Sequence, residues 1–274
     1  MSDNLIVLEN QILEGRAPKS YWDAAQSKEI EGFATDISVN AGGKVDFKIN
    51  VNGTQEDNLA YKVEIFRLGY YGGDGARLVA TIENADGEVQ PNALYDPSRA
   101  LVDAGNWSIT DSWDIPADAV SGVYLARLQR LDEAGNPIDG AVNQIPFIVR
   151  NDGREADIVL QTSDTTWQAY NGWFGNGGQV GANFYGDASG TVNHPDIPGA
   201  GGFAQDRAYA VSYNRPIITR DGSSPASGAQ DYLFGADYAA IHWLEQNGYD
   251  VAYMSGVDTD RMGVDYLKNY KSYI

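Results

Sequence analysis

The chain has 274 residues, of which 43% are hydrophobic, enough for a sizeable core and for one or two domains. Its 38 acidic residues outnumber 19 Lys and Arg, giving a net charge of −19 that opposes binding to nucleic acid or anionic lipid. The absence of cysteine excludes disulfides, thiolate zinc sites and a cysteine nucleophile, and 2 histidines leave little for an imidazole-rich metal centre.

No apolar stretch approaches the ~20 residues of a membrane span. The segment starting at Met1 lacks the basic start and apolar core of a signal peptide. Acidity without cysteine is common in secreted and cell-surface bacterial proteins, so an extracellular or surface location is expected, with the cytoplasm as the alternative.

Residues 1–29 read as an N-terminal extension. Beyond them, Val45, Phe47, Ile49 and Val51 alternate with Asp46, Lys48 and Asn50, the period of two of a strand with one face on a core. Tyr61, Val63 and Ile65 repeat that pattern, and further short strands are expected over 78–82, 107–113, 123–131 and 145–149. Gly42-Gly43, the Gly-rich cluster at 72–75, residues 116–122 and residues 134–137 supply turns between them. Closely spaced strands with such turns indicate an antiparallel, Ig-like β-sandwich over residues 30–150. The glycine cluster is better read as a turn than as a phosphate loop, because no Lys-Ser/Thr pair follows it.

The pattern changes after Arg150. Residues 151–155 form a polar joint, and Ile158, Val159 and Leu160 lie in an apolar run of the kind buried on both faces in a parallel sheet. Residues 171–207 are glycine-rich and loop-like, longer than an ordinary connection and therefore a candidate functional loop. A strand is expected at 208–211 and a helix over 231–247, with Tyr238, Ile241 and Leu244 on one face and Gly248 as its cap. A strand at 250–254, a helix over 258–269 and a further strand starting at Lys271 complete an alternating pattern. That pattern predicts a doubly wound α/β domain over 156–274, incomplete at Ile274 because a domain seldom ends partway through a strand.

Two tyrosine-bearing segments then stand out. Tyr170 lies in a run from Gln161 to Trp173, and Tyr213 in a run from Tyr209 to Pro216, each following or closing an expected strand. An open α/β sheet places ligands at strand carboxyl ends, so these tyrosines are expected near one another there. With 17 tyrosines in the chain, an ordinary half-buried aromatic is the competing reading for each. Trp167, Trp173 and Asn214 would line the same mouth, or serve as packing and turn residues.

These two segments, with the run from Trp243 to Val251 and the run from Ser255 to Asp260, resemble the N,N-dimethylformamidase large (beta) subunit-like family. The runs at 30–37 and 66–75 are similar to that family's preceding β module. The resemblance implies an α/β domain related to the class I glutamine amidotransferase-like fold, and a mononuclear iron held by two tyrosines and a glutamate. Tyr170 and Tyr213 match the tyrosine positions, and the glutamate would fall after Ile274. The implied activity is hydrolysis of a small amide, with a small second subunit as partner. Phenolate and carboxylate oxygens suit ferric iron, and a cation with open positions can polarise an amide carbonyl.

Other chemistry finds less support. Gly-x-Ser-x-Gly is absent, His242 sits on a helix face, and His194 lies in the long loop. Asp258 and Asp260 could bind calcium, though no EF-hand or nonapeptide spacing accompanies them. No catalytic residue is assigned within 1–274, and the isolated chain is expected to be inactive. The rival expectation is a non-catalytic module of a large secreted or surface protein, serving assembly, adhesion or carbohydrate contact.

Overall fold

A computed structural model describes residues 4–23, 27–173, 183–185, 207–217 and 232–274. The described chain is mixed and β-rich with a few short helices. In chain order it begins with α1 (Leu5–Gln11), β1 (Arg16–Ala17) and α2 (Lys19–Trp22). Then come β2 (Ile30–Ala34), β3 (Ser38–Asn40), β4 (Lys44–Val51), β5 (Tyr61–Leu68) and β6 (Ala76–Asn84). These are followed by β7 (Leu94–Asp96), β8 (Leu101–Asp103), β9 (Asp111–Asp114), β10 (Gly122–Leu131) and β11 (Pro137–Arg150). The remainder comprises β12 (Ile158–Gln161), α3 (Asp164–Tyr170), α4 (Leu233–Ala236), α5 (Tyr238–Gln246), β13 (Val251–Met254), α6 (Gly256–Leu267) and β14 (Ser272–Tyr273).

The largest sheet has the order β1-β6-β5-β10-β11-β3, and a smaller one the order β2-β4-β9. Period-two alternation divides the large sheet's side chains between two cores. Val63, Ile65, Ala126, Leu128, Ile145 and Phe147 meet Val45, Phe47 and Ile49 of the smaller sheet. Phe66, Leu68, Val123, Leu125 and Ile148 face the other way, against Leu160, Trp167, Ile241, Leu244, Val251 and Tyr253. Burial on both faces is why β10 is buried at every position but its last.

β12, β13 and β14 form a parallel sheet in the order β13-β12-β14. The chain leaves β12 for one neighbour and returns to its other side, so strand order reverses at β12. The carboxyl end of such a strand is where open parallel sheets place their ligands.

The N-terminal extension is integrated into both parts. Asn10 Oδ1 accepts from the N–H groups of Tyr70 and Tyr71, its Nδ2 donates to Glu245, and β1 pairs with β6. Trp22 is fully buried, donates from Nε1 to the Asp74 carbonyl at 2.9 Å, and packs against Phe234 and Tyr238.

The glycine cluster is a turn closing the β5–β6 hairpin, with the Gly69 N–H donating to the Gly75 carbonyl at 3.0 Å. Three expected elements differ. Of the 107–113 run only the residues from Asp111 on are strand, in β9, because Trp107 is held by its indole bond to the Pro91 carbonyl and not by a ladder. Residues 208–211 are not a strand; Arg207 makes a single bridge to Asn183, and the segment after it is fixed by side chains. The 231–247 helix divides into α4 and α5 at Asp237, whose carboxylate turns to Ser163 and Trp167. Gly248 caps α5 at φ +70°, as its position predicts, and Tyr238, Ile241 and Leu244 pack in the core together.

Candidate functional site

The site begins where β12 ends. Asp164, the first residue of α3, is completely buried at the carboxyl end of that strand. Its Oδ1 accepts from Thr162 Oγ1 at 2.8 Å and from the Gly256 N–H, at the start of α6, at 2.7 Å. Its Oδ2 accepts from the Tyr213 hydroxyl at 2.7 Å. The carboxylate therefore joins the ends of β12 and β13 to the segment carrying Tyr213. Ser255 caps α6 in a reciprocal box with Asp258, which also takes Arg150 Nη1 at 2.8 Å.

Burial raises the pKa of Asp164, although its three donors work against the shift. Tyr213 is raised well above an ordinary phenol by burial first and then by the Asp164 carboxylate. Asp237 is also raised, mainly by burial; it accepts from the N–H and hydroxyl of Ser163 and from Trp167 Nε1. A carboxylate with a raised folded pKa binds its proton more tightly in the folded chain. The resulting stabilisation is complete below about pH 4 and is lost as pH rises through the folded value. The stability difference between wild type and Asp237→Asn should therefore fall with rising pH across that window. Urea melts at several pH values test this, and a difference that is flat with pH would refute it.

Tyr213 belongs to a segment tied to β8. Ser212 Oγ donates to Asp103 Oδ2 at 2.6 Å, Asn214 Nδ2 reaches the same oxygen at 3.3 Å, and the Ala104 N–H donates to the Asn214 carbonyl at 2.7 Å. Arg215 is fully buried and donates to the carbonyls of Ser212, Gln168 and Trp173. Burial pushes its pKa down to about 9. A small cavity opens beside this segment, lined by Tyr213, Arg215 and Gln168 on one side and by Phe33, Gln144 and Ile145 of the β part on the other.

Tyr170 closes α3, about 9 Å along the helix axis from Asp164. Its half-buried ring stacks on Tyr185 with centroids 4.0 Å apart. It thus ends a helix and not a strand, at the opposite end of α3 from the Tyr213 hydroxyl. Trp167 and Trp173 are both fully buried. The first is anchored to Asp237, and the second donates to Glu31 Oε2 at 2.9 Å and meets Trp107 edge-on. Asn214 holds its turn against Asp103. His242 packs edge-on against Tyr70, Asp258 is engaged by Ser255 and Arg150, and Asp260 is exposed. His194 and the loop glycines from Gly175 on lie outside the described residues.

Sequence reasoning did not single out Asp164, Asp237 or Arg215. Asp164 carries a usable signal, an acid three residues past a buried strand that opens a helix. Its partner 49 residues later gives no local hint.

Among the described residues no group of three His, Asp or Glu side chains could hold a metal. Phenol oxygens are donors of the type a hard cation takes, and of the two tyrosines the resemblance implies, Tyr213 holds its hydroxyl on the Asp164 carboxylate at 2.7 Å, at a sheet's carboxyl end.

A protein family described as N,N-dimethylformamidase beta subunit-like, C-terminal, matches residues 62–274. The chain belongs to this N,N-dimethylformamidase beta subunit-like family. The matched region starts within β5, so it takes in much of the large β-sheet together with the parallel sheet. No curated protein matches the chain. Among solved structures, a cycloisomaltooligosaccharide glucanotransferase from Paenibacillus sp., complexed with cycloisomaltoheptaose, is 12% identical with a TM-score of 0.24. The alignment covers 88% of this chain and 30% of that one, and so slight a superposition carries no argument. Among the described residues no helix is long and apolar enough to cross a membrane.

Proposed function

We propose that this dimethylformamidase-like chain carries part of an iron-dependent site for hydrolysis of small amides, with Tyr170 and Tyr213 as protein ligands. In this reading residues 30–150 are a β-sandwich module, and 156–274 belong to an amidotransferase-like α/β domain. The observation that carries it is the Tyr213 hydroxyl on the buried Asp164 carboxylate, at the carboxyl end of the strand where the parallel sheet's order reverses.

Iron held there would supply Lewis-acid polarisation of an amide carbonyl. The chain's own residues do the rest. Asp164 accepts the phenol proton of Tyr213 and fixes the ring's direction, while the Gly256 N–H and Thr162 hydroxyl hold the carboxylate still. Arg215, bonded to Ser212, Gln168 and Trp173, keeps the Tyr213 segment against α3. Trp167 in the middle of α3 and Trp173 just beyond it sit in apolar surroundings and keep water from the buried side of this region.

The test is metal analysis and amide turnover of the full-length protein. Wild type should contain near-stoichiometric iron. Tyr170→Phe and Tyr213→Phe should each lose it, with turnover falling at least about 10²-fold. Normal iron content and turnover in both variants would refute the assignment.

A further inference from the structure

Tyr170 is the last residue of α3, and helix ends fray, so a ring there needs support from outside the helix if its hydroxyl is to keep one place. Residues 183–185 supply that support. The Phe184 N–H donates to the Ala169 carbonyl at 3.0 Å, taking one of the acceptors that the last helical turn leaves open. Asn183 is buried, and its side-chain oxygen accepts from the Tyr185 N–H at 2.8 Å. These bonds lay the Tyr185 ring almost flat on the Tyr170 ring, at an interplanar angle of 17° with centroids 4.0 Å apart. Most aromatic pairs keep about 4.5–7 Å between centroids, so this contact is a close one. The same segment reaches the strand of chain that carries the other tyrosine. The Asn183 carbonyl accepts from the Ala208 N–H at 2.7 Å, beside the bridge to Arg207, and the Tyr209 N–H donates to the Arg99 carbonyl at 2.7 Å. Asn183 thus sets the register between the end of α3 and the segment leading to Tyr213.

We propose that Tyr185 is a positioning residue for Tyr170, directing its phenol by stacking on the ring face, with Asn183 as the strut behind it. This rests on the reading of Tyr170 as an iron ligand and adds how that ligand is held. A tyrosine hydroxyl lies on the axis of its ring, so its place follows the swing about χ1. The plane of the ring sets how the π electrons of a phenolate overlap with a bound metal. A parallel neighbour restrains both. Tyr213 is directed by different means, through its hydrogen bond to Asp164. Stacking needs the ring of Tyr185 and not its hydroxyl, so phenylalanine should serve in its place and an aliphatic side chain should not.

The experiment compares Tyr185→Phe and Tyr185→Leu with wild type in the full-length protein; Tyr185 is 44% exposed, so both variants should fold. In the metal-free protein, NMR on ring-labelled tyrosine should show the Tyr170 signals, assigned by their loss in Tyr170→Phe, displaced by the ring current of residue 185. That displacement should persist in Tyr185→Phe and vanish in Tyr185→Leu. Loaded with ferric iron, wild type and Tyr185→Phe should share one phenolate-to-iron charge-transfer band, whereas Tyr185→Leu should shift the band and bind iron at least about tenfold more weakly. A packing role alone would lower the stability of Tyr185→Leu and leave band and iron affinity unmoved, and that result overturns the inference. So does Tyr185→Phe behaving like Tyr185→Leu, or a Tyr170 ring signal indifferent to the leucine. Absence of any charge-transfer band in wild type sinks the iron reading, while the metal-free ring signals still decide whether Tyr185 holds Tyr170.

Discussion

Replacing Glu245 by leucine should cost the fold about 3–5 kcal/mol, because it strands a fully buried guanidinium. Arg67 on β5 and Glu245 on α5 have no exposed side-chain surface, and they meet through two bonds, Nη2 to Oε1 at 2.8 Å and Nη1 to Oε2 at 3.1 Å. Burial, the largest single influence, lowers the pKa of Arg67, but Glu245 together with the Tyr71 and Tyr124 phenols raises the guanidinium well above its ordinary value. Tyr253 donates to Glu245 Oε1 at 2.8 Å, Asn10 Nδ2 donates to Oε2 at 2.8 Å, and Arg67 Nη2 also donates to the Ser121 carbonyl. One carboxylate thus gathers the N-terminal helix, the large sheet and the parallel sheet. Removing it leaves Arg67, Tyr253 and Asn10 short of an acceptor in a place water does not reach. Replacing both partners, Arg67→Met with Glu245→Leu, should recover much of the loss, since no uncompensated charge remains. Urea unfolding of the three proteins decides it. A Glu245→Leu penalty below about 1 kcal/mol would show that the pair does not hold the two parts together.

The same junction shows what the sequence could and could not convey. Alternation at Val45, Phe47 and Ile49 identified β4 because each of those side chains faces one core, a purely local pattern. The continuous apolar run of β12 and the stripe on α5 were legible for the same reason. The strand expected at 208–211 was a short apolar run of the kind periodicity cannot resolve, and side-chain bonds to Asp103 fix the segment that follows it. Likewise Asp237 sits where a helix pattern runs on, and the break comes from its bonds to Ser163 and Trp167, more than 70 residues upstream in sequence for the serine. Of the site itself, Tyr213 was visible through its motif. The carboxylate that orients it was not, because a single aspartate after a strand reads as a solvated side chain until the fold closes over it.

Asp164→Ala should be nearly as damaging as the loss of Glu245, about 3–5 kcal/mol, and more informative about the site. The substitution deprives the Thr162 hydroxyl, the Gly256 N–H and the Tyr213 hydroxyl of a shared acceptor, and a buried donor left without one costs about 1–3 kcal/mol. Asp164→Asn is a gentler change. Its remaining carbonyl can still serve Thr162 and Gly256, while its NH₂ can donate to the Tyr213 oxygen, reversing the direction of that bond. A cost of about 1 kcal/mol is expected for it. Combining each variant with Tyr213→Phe separates the pair's own contribution from the damage to α3 and α6. In wild type the hydroxyl and carboxylate should show a coupling of about 1–2 kcal/mol in a double-mutant cycle built on Asp164→Ala. If the two single costs simply add, Asp164 supports only the strand ends and does not orient Tyr213. A measured coupling instead ties the phenol's position to the carboxyl end of β12, because Asp164 can hold that ring only while Gly256 and Thr162 hold Asp164.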